Sequence, residues 1–407
     1  MFNNQAPCWI ALGLSLTTLS AQAQLSYDLD IVAIEGETID GLMLTDIFRV
    51  DVSQNGTAAF VGRVPGSSSG TPTVFTSTDP GNTPFGAVLS TNTPVGGGTL
   101  DGFAFVSISV NDSGNVAVVF DDNNQIYSTA DGVVVPAGAT IGGLTIDTPF
   151  EVDPGIHYAN DGTVYFTAET TTGIKALFTQ STVLLTEGQT LNGQTVGELG
   201  SGNNENLDVN AAGQIALIGN PSGSDRQALT DSQFFTQSGG TLNDGTAVVF
   251  INAADVGIDG AGTPYFYGGF GPGSDLGLAT PDGVLFSDGD TIEGTPIDFG
   301  FGEFDVAEDG TVVFANFDAS FDIEGVYTLD RSVARVGDVI DGLTFTNLVS
   351  TQDLRIADNG DIFFIAELDD AGTTRSALVR ATLVPEPTSL ALLALGGLFV
   401  ARRQRSA

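Results

Sequence analysis

Six polar side chains recur at one repeated position of this 407-residue sequence, and together they are the residues best placed to do chemistry. Asp51, Ser109, His157, Asp208, Asp305 and Arg355 each stand five residues before a glycine of a repeated motif, and Gly257 fills the same slot in a seventh copy. If the segments that carry them are the innermost strands of a closed ring, the six sit at matching heights near a central channel. The arginine then offsets part of the acid charge, and Asp51, Asp208 and Asp305 are left as oxygen ligands for a cation such as Ca2+. The same residues have a structural alternative, in which each bonds to a neighbouring blade or to water. His157 is the only histidine, so a multi-histidine metal site is excluded and it is read as a structural strand residue. No catalytic residue is assigned, and no cofactor beyond that Ca2+ is expected.

Other carboxylates discriminate less. Asp121-Asp122-Asn123-Asn124 and Asp369-Asp370 are oxygen-rich, yet neither has the spacing of a calcium-binding helix-loop-helix. Two acids are easily found among 50, so a glycosidase pair is not legible from composition. The only tryptophan, Trp9, falls in the leader described below, which leaves Tyr and Phe as the aromatic faces for a sugar. A pocket with two carboxylates roughly 5–10 Å apart and aromatic walls would mark a polysaccharide-active hydrolase or lyase. A plugged channel would mark a binding module.

The elements that position the six residues follow from the glycines. Gly56, Gly114, Gly162, Gly213, Gly262, Gly310 and Gly360 are spaced by 58, 48, 51, 49, 48 and 50 residues, a seven-fold repeat. The residues six before, four before and four after each glycine are apolar in every copy, from Val50, Val52 and Phe60 to Leu354, Ile356 and Phe364. Period-2 apolar runs on both sides of a tight turn predict a β-hairpin, with the glycine taking the positive φ that closes the turn. A second repeat sets the phase. Glu35-Gly36-Glu37-Thr38-Ile39-Asp40-Gly41 returns at 187–193, 288–294 and 336–342, with looser copies ending at Gly102, Gly143 and Gly245. Two more short strands lie between each hairpin and the next such loop, so each repeat holds about four strands. The expected fold is all-β, a seven-bladed β-propeller. Residues 29–34 have no hairpin before them, and residues 376–382 have no fourth strand after them. The first strand is therefore expected to complete the last blade and remove its open edge. A parallel β-helix is the other candidate, but its coils are much shorter than 50 residues.

Charge and the chain ends bound the biology. With 50 acidic and 12 basic residues the formal net charge is −38, and three of the basic residues lie in the last six positions. That repulsion excludes nucleic acid as a partner. At 42% hydrophobic residues, with 53 glycines and 27 phenylalanines, the body is a packed, turn-rich β protein. Residues 9–19 form an apolar run, and Ala21-Gln22-Ala23 fits the small-x-small rule for signal peptidase, so residues 1–23 are read as a leader despite the lack of a basic start. Cys8, the only cysteine, leaves with it, so the mature chain has no disulfide.

At the other end, Val384-Pro385-Glu386-Pro387 precedes an apolar stretch and then Arg402, Arg403 and Arg405. Residues 388–401 would span about 21 Å as a helix, short against a hydrocarbon core of about 30 Å. The arginines favour the cytoplasmic side, which leaves Pro385, Glu386 and Pro387 outside. This layout resembles the PEP-CTERM sorting signal. The resemblance implies an exosortase-type membrane protease as partner and a Gram-negative exporter that makes extracellular polysaccharide. It also implies transient anchoring by residues 384–407 and a final place at the cell surface or in the matrix, where that polysaccharide is a further partner. Copies such as Ser53-x-x-Gly56-x-x-Ala59-Phe60 and Asn111-x-x-Gly114-x-x-Ala117 make residues 28–383 of the body, itself 24–383, resemble the choice-of-anchor tandem repeat NxxGxxAF proteins. That resemblance implies a surface location and no assigned activity. The sequence therefore reads as an exported, non-enzymatic structural or binding propeller, with a secreted polysaccharide-active enzyme as the alternative.

Overall fold

The computed structural model describes residues 25–385 apart from 67–69, 92, 96–97, 100–106, 121–124, 148–154, 200–206, 221–224, 299–303, 318–321 and 351–352. Residues 27–382 form one compact unit. Its strands assemble into seven antiparallel blades of four main strands from the channel outward, in chain order in the first six. Blade 1, for example, runs Asp46–Val52, Ala58–Val64, Thr71–Ser77 and Gly86–Ser90. The innermost strands pack in a closed circle, that of blade 7 (Leu354–Ile356) against those of blades 6 and 1. The fourth strand of blade 7 is the N-terminal one, Leu25–Ile34, paired with Thr373–Pro385. The expected closure is thus present.

The hairpin register is the same in every blade. The residue six before the glycine lies directly opposite the residue four after it, as in Val50–Phe60, Ile108–Val118, Asp208's neighbour Leu207 with Leu217, and Leu354–Phe364. Of the 21 aligned apolar positions only Val52 and Ile156 are not fully buried, and both still pack against the core. Period-2 patterning puts these side chains between blades, where the burial of each large one contributes about 1.5–3 kcal/mol.

The turns explain why the repeat tolerates so many letters. All seven glycines have φ between 75° and 89°. Each donates its amide to the carbonyl three residues back, as Gly56 does to Ser53 and Gly114 to Asn111. The amide after the glycine also needs an acceptor, and two alternative positions supply it. Where the residue three before the glycine is Asn or Asp, its own side chain accepts, as Asn111, Asn210 and Asp259 do from Asn115, Gln214 and Thr263. Where that residue is Ser or Ala, the residue one before the glycine is Asn or Asp and accepts instead: Asn55, Asp161, Asp309 and Asn359 bond to Thr57, Thr163, Thr311 and Asp361. Every copy has one of the two. The degenerate motif is a conserved bond with a movable acceptor.

The second repeat forms small hairpins at the outer rim, such as Thr38–Ile39 with Leu42–Met43 and Thr190–Leu191 with Gln194–Thr195. Both corner residues have positive φ, 53° and 79° at Asp40-Gly41 and 50° and 88° at Asp341-Gly342, the turn that matches strand twist. One apolar residue per hairpin is driven inward, including Ile39, Ile141, Leu191, Ile292 and Ile340, all buried. The tips reach forward to the outer strand of the next blade. Ala87 and Ile31 donate their amides to Asp40 and Asp341 at 3.4 and 2.9 Å, and the Ser332 hydroxyl donates to Glu293 at 2.7 Å. The loop expected to end at Gly102 lies outside the described residues; before it, Pro94–Val95 pairs with Gly98–Thr99.

Candidate functional site

The six polar residues of the repeated slot line one cavity of about 350 Å³ in the channel. Their first task is visible in their hydrogen bonds. An inner strand has a partner on one side only, so amides on its channel side lack acceptors. Asp51 accepts from the Val110 amide at 2.7 Å, Ser109 from Tyr158 at 2.9 Å, Asp208 from Ile258 at 2.8 Å and Asp305 from Ile356 at 2.7 Å. In each case a blade is fastened to the next. Arg355 cannot accept, and the junction from blade 7 to blade 1 uses Asp353, which takes the Val50 amide at 3.2 Å. The Arg355 guanidinium donates to the Leu354 carbonyl and lies 3.6 Å from Asp51. The cation-site expectation for Asp51, Asp208 and Asp305 meets this geometry: among the described residues no three His, Cys, Asp or Glu side chains are grouped to hold a metal ion.

The cavity mouth is built from hairpin tips, two residues before each glycine. Gln54 on blade 1 donates to Glu308 on blade 6 and accepts from Asn160 on blade 3, both at 3.3 Å. Asn160 donates to Asp112 at 2.7 Å, Glu308 accepts from the Ala211 amide, and Asp358 accepts from the Glu308 amide at 2.9 Å. Side chains from non-adjacent blades thus meet across the mouth. Sequence reasoning missed this layer, although the same alignment that exposed the ring shows polar residues at five of the seven tips.

Enclosure sets the electrostatics. Burial pushes Asp208 up to about 7, helped by the Asp305 charge and opposed by the amides of Ile258 and Val209 and by Arg355. Burial also lowers His157 to about 4, so its ring is neutral at pH 7. Asp358 at the mouth is raised to about 6 by burial and by the charges of Glu308 and Asp112, against the Glu308 amide. The walls include Tyr165, packed edge-to-face on His157 with ring centroids 6.3 Å apart.

The other expected residues are placed as follows. Asp370 pairs with Arg375 at 2.9 Å and Asp369 accepts from the Gly372 amide at 2.8 Å, so both serve a hairpin turn. Residues 121–124, Ala21, Ala23, Glu386, Pro387, Arg402, Arg403 and Arg405 lie outside the described residues, as does the apolar tail stretch. Pro385 ends the third strand of blade 7. Among the described residues no helix is long and apolar enough to cross a membrane. The letters Gly-x-Ser-x-Gly occur at 66–70, but they join two antiparallel strands of blade 1, not the strand and helix of a nucleophile elbow.

Residues 383–406 match the PEP-CTERM protein-sorting motif. The tail is a sorting signal. It implies export, a transient hold at the membrane through the C-terminal region and recognition there by an exosortase. No curated protein matches the chain. Solved structures similar to it include the WD40 β-propeller domain of Doa1, 14% identical, with 88% of this chain and 98% of that one covered and a TM-score of 0.39. A puromycin-hydrolysing peptidase of Mycobacterium tuberculosis is 12% identical over 88% of this chain and 55% of that one, with a TM-score of 0.41. Hsv2 of Kluyvelomyces marxianus is 8% identical over 83% and 99%, with a TM-score of 0.38. At these scores none of the three carries an argument about function.

Proposed function

We propose that this protein is delivered to the surface of a Gram-negative cell, or into its extracellular matrix, as a non-enzymatic structural and binding propeller. The observation that carries the reading is the sorting motif at 383–406, whose first three residues are the last three of the strand Thr373–Pro385. An exosortase-type protease reads Pro385-Glu386-Pro387, signal peptidase acts after Ala23, and the arginines at 402, 403 and 405 hold the tail until processing. The body then belongs with the choice-of-anchor tandem repeat proteins, and its movable-acceptor turns account for their loose consensus. Ring carboxylates engaged with backbone amides favour a scaffold over a catalyst.

Glu386→Ala, or removal of residues 402–405, is expected to leave unprocessed protein in the inner membrane of a host with the cognate protease. Release of both variants at the unmodified rate overturns the sorting assignment. A polysaccharide-active enzyme is the second reading, favoured by one observation, the raised Asp208 beside Asp305. Release of reducing ends from the host's own polysaccharide, lost in Asp208→Asn and Asp305→Asn, would establish it.

A further inference from the structure

The channel holds polar groups that the fold leaves unused. His157 lines the cavity with a ring that makes no hydrogen bond among the described residues, and the Tyr165 hydroxyl beside it has none there either. Asp208 takes one amide on each carboxylate oxygen, Val209 at 2.7 Å and Ile258 at 2.8 Å, which leaves a lone pair free on each. These three belong to adjacent blades 3 and 4. A neutral imidazole offers one donor and one acceptor, a carboxylate offers acceptors, and a phenol offers both together with an aromatic face. An anion would meet five aspartates and Glu308 along the cavity, with Arg355 as the one arginine to offset them. A hydroxyl both donates and accepts, and neighbouring hydroxyls on a small ring match this mixture. The volume of about 350 Å³ lies at the small end of ligand pockets and suits one sugar ring.

We propose that the channel binds a single neutral sugar unit, the end residue of a glycan, with Asp208 and His157 bonding its hydroxyls and Tyr165 packing on its ring. The ligand displaces the two long Gln54 bonds that cross the mouth. This assignment rests on the surface-module reading and names the class of ligand that such a module would take.

His157 is the chain's only histidine, so full-length protein labelled at histidine nitrogen in detergent gives one pair of ring signals, Nδ1 and Nε2, that reports on the channel. Glucose, mannose, galactose and N-acetylglucosamine are the probes, with galacturonate, spermidine and Ca2+ as separate arms. At least one neutral sugar is expected to shift these signals saturably while galacturonate does not. Asp208→Asn is expected to weaken binding about tenfold, with its melting temperature measured as a check of folding. Tyr165→Leu supplies a second weakened variant should Asp208→Asn fail to fold. No saturable shift with any neutral sugar overturns the proposal, as does a response to spermidine or Ca2+ alone. Delivery of the tail variants is read separately, so loss of the sugar site leaves the sorting assignment standing.

Discussion

Each blade of this propeller presents two sheet edges, one to the channel and one to the outer rim, and in several blades an acidic side chain covers one or the other. At the rim Asp40, Asp341 and Glu293 hang from hairpin corners open to water. In the channel Asp51, Asp208 and Asp305 make the same kind of bond inside an enclosed space. The chemistry is identical and the surroundings differ, so the strain falls on the inner set: Asp208 is pushed up to about 7 by burial and by Asp305. These acids are an edge treatment. Carboxylates satisfy amides that would otherwise recruit a foreign strand. Water screens their mutual repulsion at the rim and does so poorly in the channel.

The largest expected effect comes from trying to complete the inner set. Gly257 occupies the slot without a side chain, and a Cβ there would lie 3.0 Å from Val306 Cβ and closer still to its Cγ2. Gly257→Asp supplies the missing acceptor but overpacks the seam between blades 5 and 6, with a loss of about 1–3 kcal/mol. Denaturant titration checks this, and an unchanged midpoint would mean that the blades have room to part.

Next comes the pH dependence. The folded pKa of Asp208 lies above its ordinary 3.8, so its contribution is fully present below about 3.8 and is lost as pH rises through about 7. Ionisation of Asp208 between about pH 4 and 8 is expected to cost on the order of 2 kcal/mol after allowance for solvent in the channel, and Asp208→Asn, which sets its NH2 against one of the two amides the carboxylate accepts, is expected to remove that pH dependence. His157 works the other way. Its folded pKa of about 4 is below the ordinary 6.5, so stability is lost as pH falls through that interval. Asp358, raised to about 6, adds to the Asp208 slope, so between about 4 and 6 two carboxylates oppose one histidine and the unmodified protein should lose stability gently as pH rises. His157→Gln should steepen that slope, seen as a melting temperature that rises more sharply on acidification. A slope unchanged from the parent's would refute the assignment of His157.

Smaller is the turn exchange. Asn111→Ala removes the acceptor for the Asn115 amide and should cost about 1 kcal/mol. Adding Ser113→Asn, which moves the acceptor to the position used by the other turn class, should restore most of it. Failure of the rescue would show that the two positions are not interchangeable. The smallest effect belongs to the rim: Asp341→Asn keeps the left-handed corner and an acceptor for Ile31, and should change stability by no more than about 0.5 kcal/mol.

The blades were legible because their signals are local and repeated. Apolar residues six before and four after each glycine predict the facing pairs, and a lone N-terminal strand predicts the closure. The ring slot was legible too, since one register position places Asp51 and Asp208 alike. The role of its residues was harder to read. Asp51, Asp208 and Asp305 suggest a cation by composition, whereas their oxygens are engaged by amides of blades about 50 residues away in sequence. The mouth, where Gln54, Asn160 and Glu308 meet, was not read at all, although its residues stand in the same alignment.

The sequence alone determined the repeat number, the hairpin register and the turn glycines, because each depends on residues a few positions apart. It also determined the C-terminal end as an address label, through the Pro-Glu-Pro motif, hydropathy and charge order. Tertiary structure decided which carboxylates are enclosed and which are wet. It decided that Arg355 yields its bolting task to Asp353, and that Tyr165 and His157 stand beside Asp208 with bonding capacity to spare. Those outcomes depend on closing the ring, which brings distant inner strands within about 3 Å of one another's side chains and lowers the local dielectric around them.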